Sequence, residues 1–280
     1  GHALMVLGEL GIPECEAVTT HGICISGMTA FKYAYMNVAS GMSDNSVAAA
    51  SETASTFMRS QFFSARDDLD TDLERKPMLA FDADFLRWML SDGAGAAFLS
   101  NKQNNKGISL RVDWIENISY AGQLETCQYG GGVKNPDGSM VGWRDTESIN
   151  PQQMKHIMAV KQDIKHLDKC IVKTAIDRAL VRVIDKHHLK PEDIDWYLPH
   201  YSSGYFRDKF YDRMKEIGFE IPYEKWFTNL YAKGNTGSAA IYIILEEIFK
   251  SDRLKKGQKL LCFIPESGRF SHCYMMLSVV

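Results

Sequence analysis

The 280-residue sequence predicts a layered α/β fold. Three observations carry that reading. Around Cys24 the chain runs strand, turn, small-residue helix, strand, an order that lays a helix on a sheet. The same rhythm of strand and helix returns in the second half. A composition of 45% hydrophobic and 24% charged residues can fill a sizeable core and excludes a disordered or low-complexity chain.

Residues 5–11 read as the end of a helix with a glycine stop. A domain rarely begins inside a helix, so a preceding N-terminal segment is expected. Residues 16–20 read as a short strand, running into the turn His21-Gly22-Ile23-Cys24. Residues 25–40 are dense in small and apolar side chains (Gly27, Met28, Ala30, Phe31) and form a buried helix that Gly41 stops. Residues 46–51 follow as a small-residue strand. Ser91-Asp92-Gly93 is a tight turn into a strand that ends near Leu99, and residues 108–115 alternate as another. The stretch 116–150 is rich in Gly, Asn and Asp without a period, and reads as an irregular insertion that lines a site.

Pro151 opens a helical pattern that reaches His188 with one break. His187 and His188 end it, where cations suit the helix dipole. Residues 194–199 form a strand ending at His200, and a helix spans about 203–217. Asn235 opens the next helix, which runs to Phe249. Residues 260–264 and 273–280 are two closing strands. The chain divides into 1–150 and 151–280.

Charge and cysteine usage narrow the function. Thirty-two basic and 35 acidic residues give a net charge of −3, which offers no basic groove for nucleic acid and no pull toward an anionic membrane. No apolar run is long enough to span a bilayer, and the start shows no signal-peptide pattern. Cys15, Cys24, Cys127, Cys170, Cys262 and Cys273 are scattered, with no CxxC pair and no metal-ligand spacing. That usage fits reduced thiols in the cytoplasm, most of them core or partly buried.

Three residues could carry chemistry. Cys24 sits where a strand turns into a helix, so the positive end of the helix lowers its thiol pKa and free backbone N–H groups face an oxyanion. A buried structural thiol is the commoner fate of a cysteine, and Cys24 alone would not escape it. His200 ends a strand, where α/β proteins place their sites, though most of the eight histidines do nothing special. Asn235 lies between Gly234 and Gly237 before a small-residue helix, close enough to act on a ligand or to serve as an ordinary cap. Together they are a nucleophile, a proton handler and a polar orienter. Papain-like proteases use the same order, but their local cysteine signature is absent here.

The short motifs resemble β-ketoacyl-acyl-carrier-protein synthase III, of the thiolase-like superfamily, collinearly from Leu7 to the end. Cys24-Ile25-Ser26-Gly27 is similar to the family's nucleophile motif, and Ala50-Ser51-Glu52-Thr53 to the strand after the nucleophile helix. Ser91-Asp92-Gly93-Ala94-Gly95-Ala96 resembles its GDGAGA segment, Leu198-Pro199-His200 its VPH, and Gly234-Asn235-Thr236 its GNT. The resemblance implies a thiolase-like α-β-α-β-α fold with two pseudo-repeated halves, the first incomplete. It implies a Cys24–His200–Asn235 triad: Cys24 accepts an acyl group from a thioester, and His200 and Asn235 bind the second thioester and stabilise its enolate. The backbone N–H groups of Cys24 and Gly268 would hold the oxyanion. No cofactor or metal is implied beyond acyl-CoA or acyl-carrier-protein substrates, and the expected assembly is a homodimer.

The departures from the family are specific. Pro265-Glu266-Ser267-Gly268-Arg269-Phe270 replaces its glycine-rich loop, Tyr201-Ser202-Ser203 replaces the residues after its histidine, and Leu167-Asp168-Lys169-Cys170 alters the stretch that carries an apolar gate. These point to a specialised relative, in unusual-lipid or secondary-metabolite synthesis. Two further readings are an acyltransferase to an alcohol or amine, with His200 as base, and a non-catalytic partner subunit of a heterodimer. Retention of all three polar residues speaks against the silent subunit. His21 and the charge run 66–76 read as structural and solvated. Arg207, Lys209 and Arg213 form a solvated face before they form a carrier-protein contact.

Overall fold

The computed structural model describes residues 1–59, 86, 87, 89–146 and 151–280; the charge run 66–76 lies outside them. Helix α1 (His2–Leu10) ends on Gly11 in the left-handed conformation, as its glycine stop predicts. Helix α2 (Ile25–Ala39) follows the Cys24 turn. Strands β1 (Asn45–Glu52) and β2 (Gly93–Ser100) pair as an antiparallel ribbon, with the short helix α3 (Ala54–Phe57) after β1.

The main sheet has four strands in the order β3 (Leu110–Ser119), β10 (Ser271–Val279), β9 (Lys259–Glu266), β8 (Trp196–Pro199). β8 runs parallel to β9, and the other neighbours are antiparallel. The 116–150 stretch is less irregular than its composition predicts. β3 extends to Ser119, and three short strands follow: β4 (Gln128–Tyr129), β5 (Gly132–Lys134) and β6 (Met140–Gly142). The single break in the later helical pattern is itself a strand. Helix α4 (Pro151–Met158) gives way to β7 (Lys161–Gln162), which pairs with β4. Helix α5 then continues through Ile164–Val172, a π-helical stretch Lys173–Leu180, and Val181–His187, where His188 turns left-handed. Helices α6 (Tyr205–Glu216), α7 (Leu230–Lys233) and α8 (Ala240–Phe249) complete the chain, with a single 3₁₀ turn, Gly237–Ala239, leading into α8.

The closing strands read as unbroken apolar runs because both faces of the sheet are covered. Leu260, Cys262 and Ile264 turn to one core with α2 and α8. Leu261 and Phe263, between them, turn to a second core with α5 and α6.

Two expectations fail here. Residues 16–20 pair with no strand among the described residues; Thr19 and Thr20 bond locally instead, to the N–H of Ala3 and the carbonyl of Ser26. A strand needs a ladder partner, and local composition does not supply one. Cys15 is exposed rather than buried, because residues 11–16 run along the surface. Among the described residues no helix is long and apolar enough to cross a membrane.

Candidate active site

Cys24 caps the N-terminus of α2, 7% exposed at the end of the first core. The turn before it is held by Ser26, whose hydroxyl donates to the Ile23 carbonyl at 2.7 Å. Gly27 fixes where the helix lies. A Cβ there would stand 2.2 Å from the Ser238 carbonyl oxygen, so only glycine lets α2 come so close to the turn that carries Asn235. Tyr242 on α8 donates to the Gly27 carbonyl at 2.7 Å and closes the same contact.

Asn235 is buried. Its side-chain Oδ1 accepts the Gly237 N–H at 3.1 Å, and its carbonyl accepts the Ser91 N–H at 2.8 Å. With Oδ1 occupied by a backbone donor, Nδ2 is the group left to meet a ligand. His200 follows β8, its N–H bonded to the Phe263 carbonyl at 2.8 Å. The imidazole is buried, and its Nε2 has no hydrogen-bond partner among the described residues. Burial pushes its pKa down to about 4, so the ring is neutral at physiological pH.

Cys24 and Asn235 line one cavity of about 350 Å³. Its apolar wall includes Phe57, Leu86, Met89 and Val160. Its polar side carries Glu52, Gln128, Gln162, Ser202 and Ser267. The predicted insertion does line the site, through Gln128, Tyr129 and Gly130. His200 and Gly268 do not themselves border this cavity; their neighbours Ser202 and Ser267 do. Of the altered gate stretch 167–170, Leu167 packs into the second core and none of the four residues lines the cavity, and exposed His21 also stays off the cavity wall. Arg207, Lys209 and Arg213 on α6 are engaged within the chain. Arg207 lies over the Tyr223 ring, Lys209 pairs with Asp168, and Arg213 pairs with Asp177 and Glu216.

The thiol does not behave as its place at a helix N-terminus predicts. Burial raises the Cys24 pKa well above the ordinary value, the charges of Glu266 and Glu52 raise it further, and only its own backbone N–H opposes them. Desolvation of a thiolate outweighs the partial positive charge of one helix turn. Gly268 departs from its expected role in a similar way. Its N–H is donated to Glu266 Oε1, so that donor already has an acceptor within the chain. Among the described residues no cluster of His, Cys, Asp and Glu could hold a metal ion.

Glu52 and Glu266 are not singled out by the sequence, although Glu52 lies within the motif Ala50-Ser51-Glu52-Thr53 and Glu266 within the loop 265–270. A charged residue in place of a glycine, next to an expected oxyanion donor, is the signal that was available.

Two family models match the chain. Residues 14–105 match the N-terminal domain of β-ketoacyl synthases, and residues 184–265 match the C-terminal part of 3-oxoacyl-[acyl-carrier-protein] synthase III. The curated β-ketoacyl-[acyl-carrier-protein] synthase III of Clostridium novyi (strain NT) is 25% identical over 259 residues, covering 92% of this chain and 67% of that protein. The Prochlorococcus marinus (strain NATL2A) enzyme of the same name is 29% identical over 174 residues, 62% of this chain and 46% of that protein. The chain thus spans between about half and two thirds of the length of these relatives. Among solved structures, Xanthomonas campestris OleA superposes with a TM-score of 0.72 at 18% identity, covering 99% of this chain and 69% of that one. The Thermus thermophilus synthase III superposes with a TM-score of 0.68 at 20% identity, covering 99% and 71%. In sequence the chain is thus similar to the β-ketoacyl-[acyl-carrier-protein] synthase III proteins, and its fold is that of the thiolase-like structures it superposes on.

Proposed function

We propose that this chain carries the chemistry of an acyl-thioester condensing enzyme that forms a carbon–carbon bond through an acyl-Cys24 intermediate. The observation that supports it best is the meeting of Cys24, at a helix N-terminus, with the Asn235 amide on one half-apolar cavity, in a chain similar to these synthases. In the first half-reaction the Cys24 sulfur attacks the thioester carbonyl. The new S–C bond forms, the old one breaks, and the thiol proton ends on the departing thiol. In the second, a malonyl-type thioester loses CO₂. His200 Nε2–H and Asn235 Nδ2–H donate to its carbonyl oxygen and stabilise the enolate. The carbanion attacks the acyl carbonyl, and Cys24 leaves as thiolate and recovers a proton.

A neutral imidazole suits this role, because it donates a hydrogen bond without bringing a charge into the cavity. The substrates proposed are acyl-CoA or acyl-carrier-protein thioesters, with a second copy of this chain as partner. The departures at 201–203 and 265–270 favour a specialised relative over a fatty-acid starter enzyme. Incubation with acyl thioesters from acetyl to lauroyl, followed by intact mass, tests the reading. An acyl adduct on the parent and none on Cys24→Ala supports it. No adduct on folded parent with any thioester sinks it.

A further inference from the structure

Three polar side chains on the cavity wall come together from distant parts of the chain. Gln128 on β4 stands directly opposite Gln162 on β7, and both line the cavity. Opposite residues of an antiparallel pair point to the same face, so the two amides are neighbours. Ser267, in the turn between β9 and β10, also lines the cavity. Its Oγ lies 3.2 Å from Gln128 Oε1 and 3.2 Å from Gln162 Oε1. Backbone bonds tie the three segments together. The Gly268 carbonyl accepts the Cys127 N–H at 2.8 Å and the Gln128 N–H at 3.3 Å, and the Cys127 carbonyl accepts the Asp163 N–H at 2.7 Å.

Within this cluster donors and acceptors do not balance. Gln162 is 2% exposed, and Cys127 fixes how its amide is turned. The Gln162 Nε2–H group donates to the Cys127 carbonyl at 3.3 Å and to Cys127 Sγ at 3.0 Å, which leaves Oε1 for Ser267. A hydroxyl has one proton, and here two amide oxygens compete for it. When Ser267 donates to buried Gln162, the Gln128 amide oxygen lacks a donor among the described residues. Turning the Gln128 amide over brings Nε2–H to Ser267 Oγ and still leaves Oε1 without one. The rest of the wall is apolar, with Phe57, Leu86, Met89 and Val160. An alkyl chain laid against the amides would desolvate them without pairing them, which costs free energy. The cluster stands near the reactive end of the cavity. Gly268, next to Ser267, lies so close to Ile23, the residue before Cys24, that a Cβ on it would stand 2.7 Å from Ile23 Cδ1.

We propose that Gln128, Gln162 and Ser267 form a subsite for a hydroxyl group carried on the acyl chain near its thioester, so that hydroxyacyl thioesters are the preferred substrates. The inference deepens the acyl-enzyme reading and rests on it for the thioester. A hydroxyl supplies the proton that the cluster lacks. A carbonyl has no proton to give, and a methylene neither donates nor accepts. A site with polar groups placed for a substrate hydroxyl rejects the analogue without it, because those groups are then left unpaired.

The test is calorimetric titration of Cys24→Ala with octanoyl-CoA, 3-hydroxyoctanoyl-CoA and 3-oxooctanoyl-CoA. Removing the thiol lets binding be read without acyl transfer. The 3-hydroxy chain is expected to bind about tenfold more tightly than octanoyl, the worth of one hydrogen bond, and the 3-oxo chain no more tightly than octanoyl. Adding Gln128→Leu should abolish the preference while octanoyl binds at least as well as before. A merely structural Gln128 would weaken all three chains together. Should Gln128→Leu fail to fold, Gln128→Met, which keeps the length of the side chain, takes its place. Equal affinities for octanoyl and 3-hydroxyoctanoyl overturn the proposal. So do a 3-oxo chain that binds as tightly as the 3-hydroxy chain, a preference that survives the loss of the Gln128 amide, and no binding of any of the three. The two readings fail separately. A hydroxyl preference in binding, with no adduct on the parent from any of the three, removes the condensing-enzyme reading alone. An adduct on the parent with equal affinities removes only the subsite.

Discussion

The cavity lies between two regions that are built differently. On one side β9 and β10 are buried on both faces, from Leu260 to Glu266 and from His272 to Val279. On the other side β1 and β2 form a two-stranded ribbon whose outer face is open, with the cross-strand pair Val47 and Phe98 65% and 69% exposed. His200 hangs from the buried sheet through the Phe263 carbonyl, and the Glu266–Gly268 turn caps the same sheet. Cys24 belongs to the helix packed on the ribbon. His200 is therefore set on the sheet that is buried on both faces, whereas Asn235 is held beside the ribbon, its carbonyl accepting the Ser91 N–H at 2.8 Å. Cys24 stands at the start of a helix that packs on the half-covered ribbon with one part of its surface and on the buried sheet with another. Buried sheet costs its titratable residues their charge, and this makes the contrast measurable.

Acid should break the buried side first and furthest. His200 and His272, with pKa values held at about 4 and about 3 by burial, are neutral in the folded state. Both values lie below the ordinary histidine value in the unfolded chain, so the unfolded state binds more protons as pH falls. The stability they contribute is present above about pH 6.5 and is lost toward pH 4, about 3 kcal/mol for each residue. Urea midpoints at pH 7 and pH 4 measure it. His272→Gln, at the site where Nε2 meets Thr174 Oγ1 at 2.8 Å, should remove one such increment from the pH dependence.

Next in size is packing. Phe263 is fully buried, stacked on Tyr274 at 4.8 Å and edge-on to Phe210 at 5.3 Å. Phe263→Ala should cost about 3–5 kcal/mol in denaturant unfolding. The smallest effect belongs to the ribbon's open face, where Phe98→Ala should stay within about 0.5 kcal/mol. Equal losses at Phe263 and Phe98 would show that the ribbon is as tightly built as the sheet and would dissolve the contrast.

Much of this arrangement is legible in the residues. Glycine stops at Gly11 and Gly41 mark two helix ends because the chain there needs a left-handed residue. The closing strands announce themselves as apolar runs that only a sheet buried on both sides can hold. Cys24, His200 and Asn235 stand in short motifs whose neighbours are small for a steric reason, shown by Gly27 against Ser238. What could not be read depends on groups distant in the chain. Residues 16–20 have strand composition, but a strand is defined by its partner. The thiol of Cys24 looked acidic from its helix, yet the charges that decide it sit 28 and 242 positions away, at Glu52 and Glu266. Cavity lining from 128–130 and 160–162 arises where β4 pairs with β7, and no local pattern joins those two short strands.

The division of labour across the cavity can be tested directly by following CO₂ release from a malonyl thioester by the parent, Cys24→Ala, His200→Ala and Asn235→Ala. The account predicts that Cys24→Ala still decarboxylates. His200→Ala and Asn235→Ala should each lose about 10²–10³-fold, the usual cost of removing a donor to a developing oxyanion. Decarboxylation that vanishes with Cys24 and survives the loss of His200 and Asn235 would contradict it.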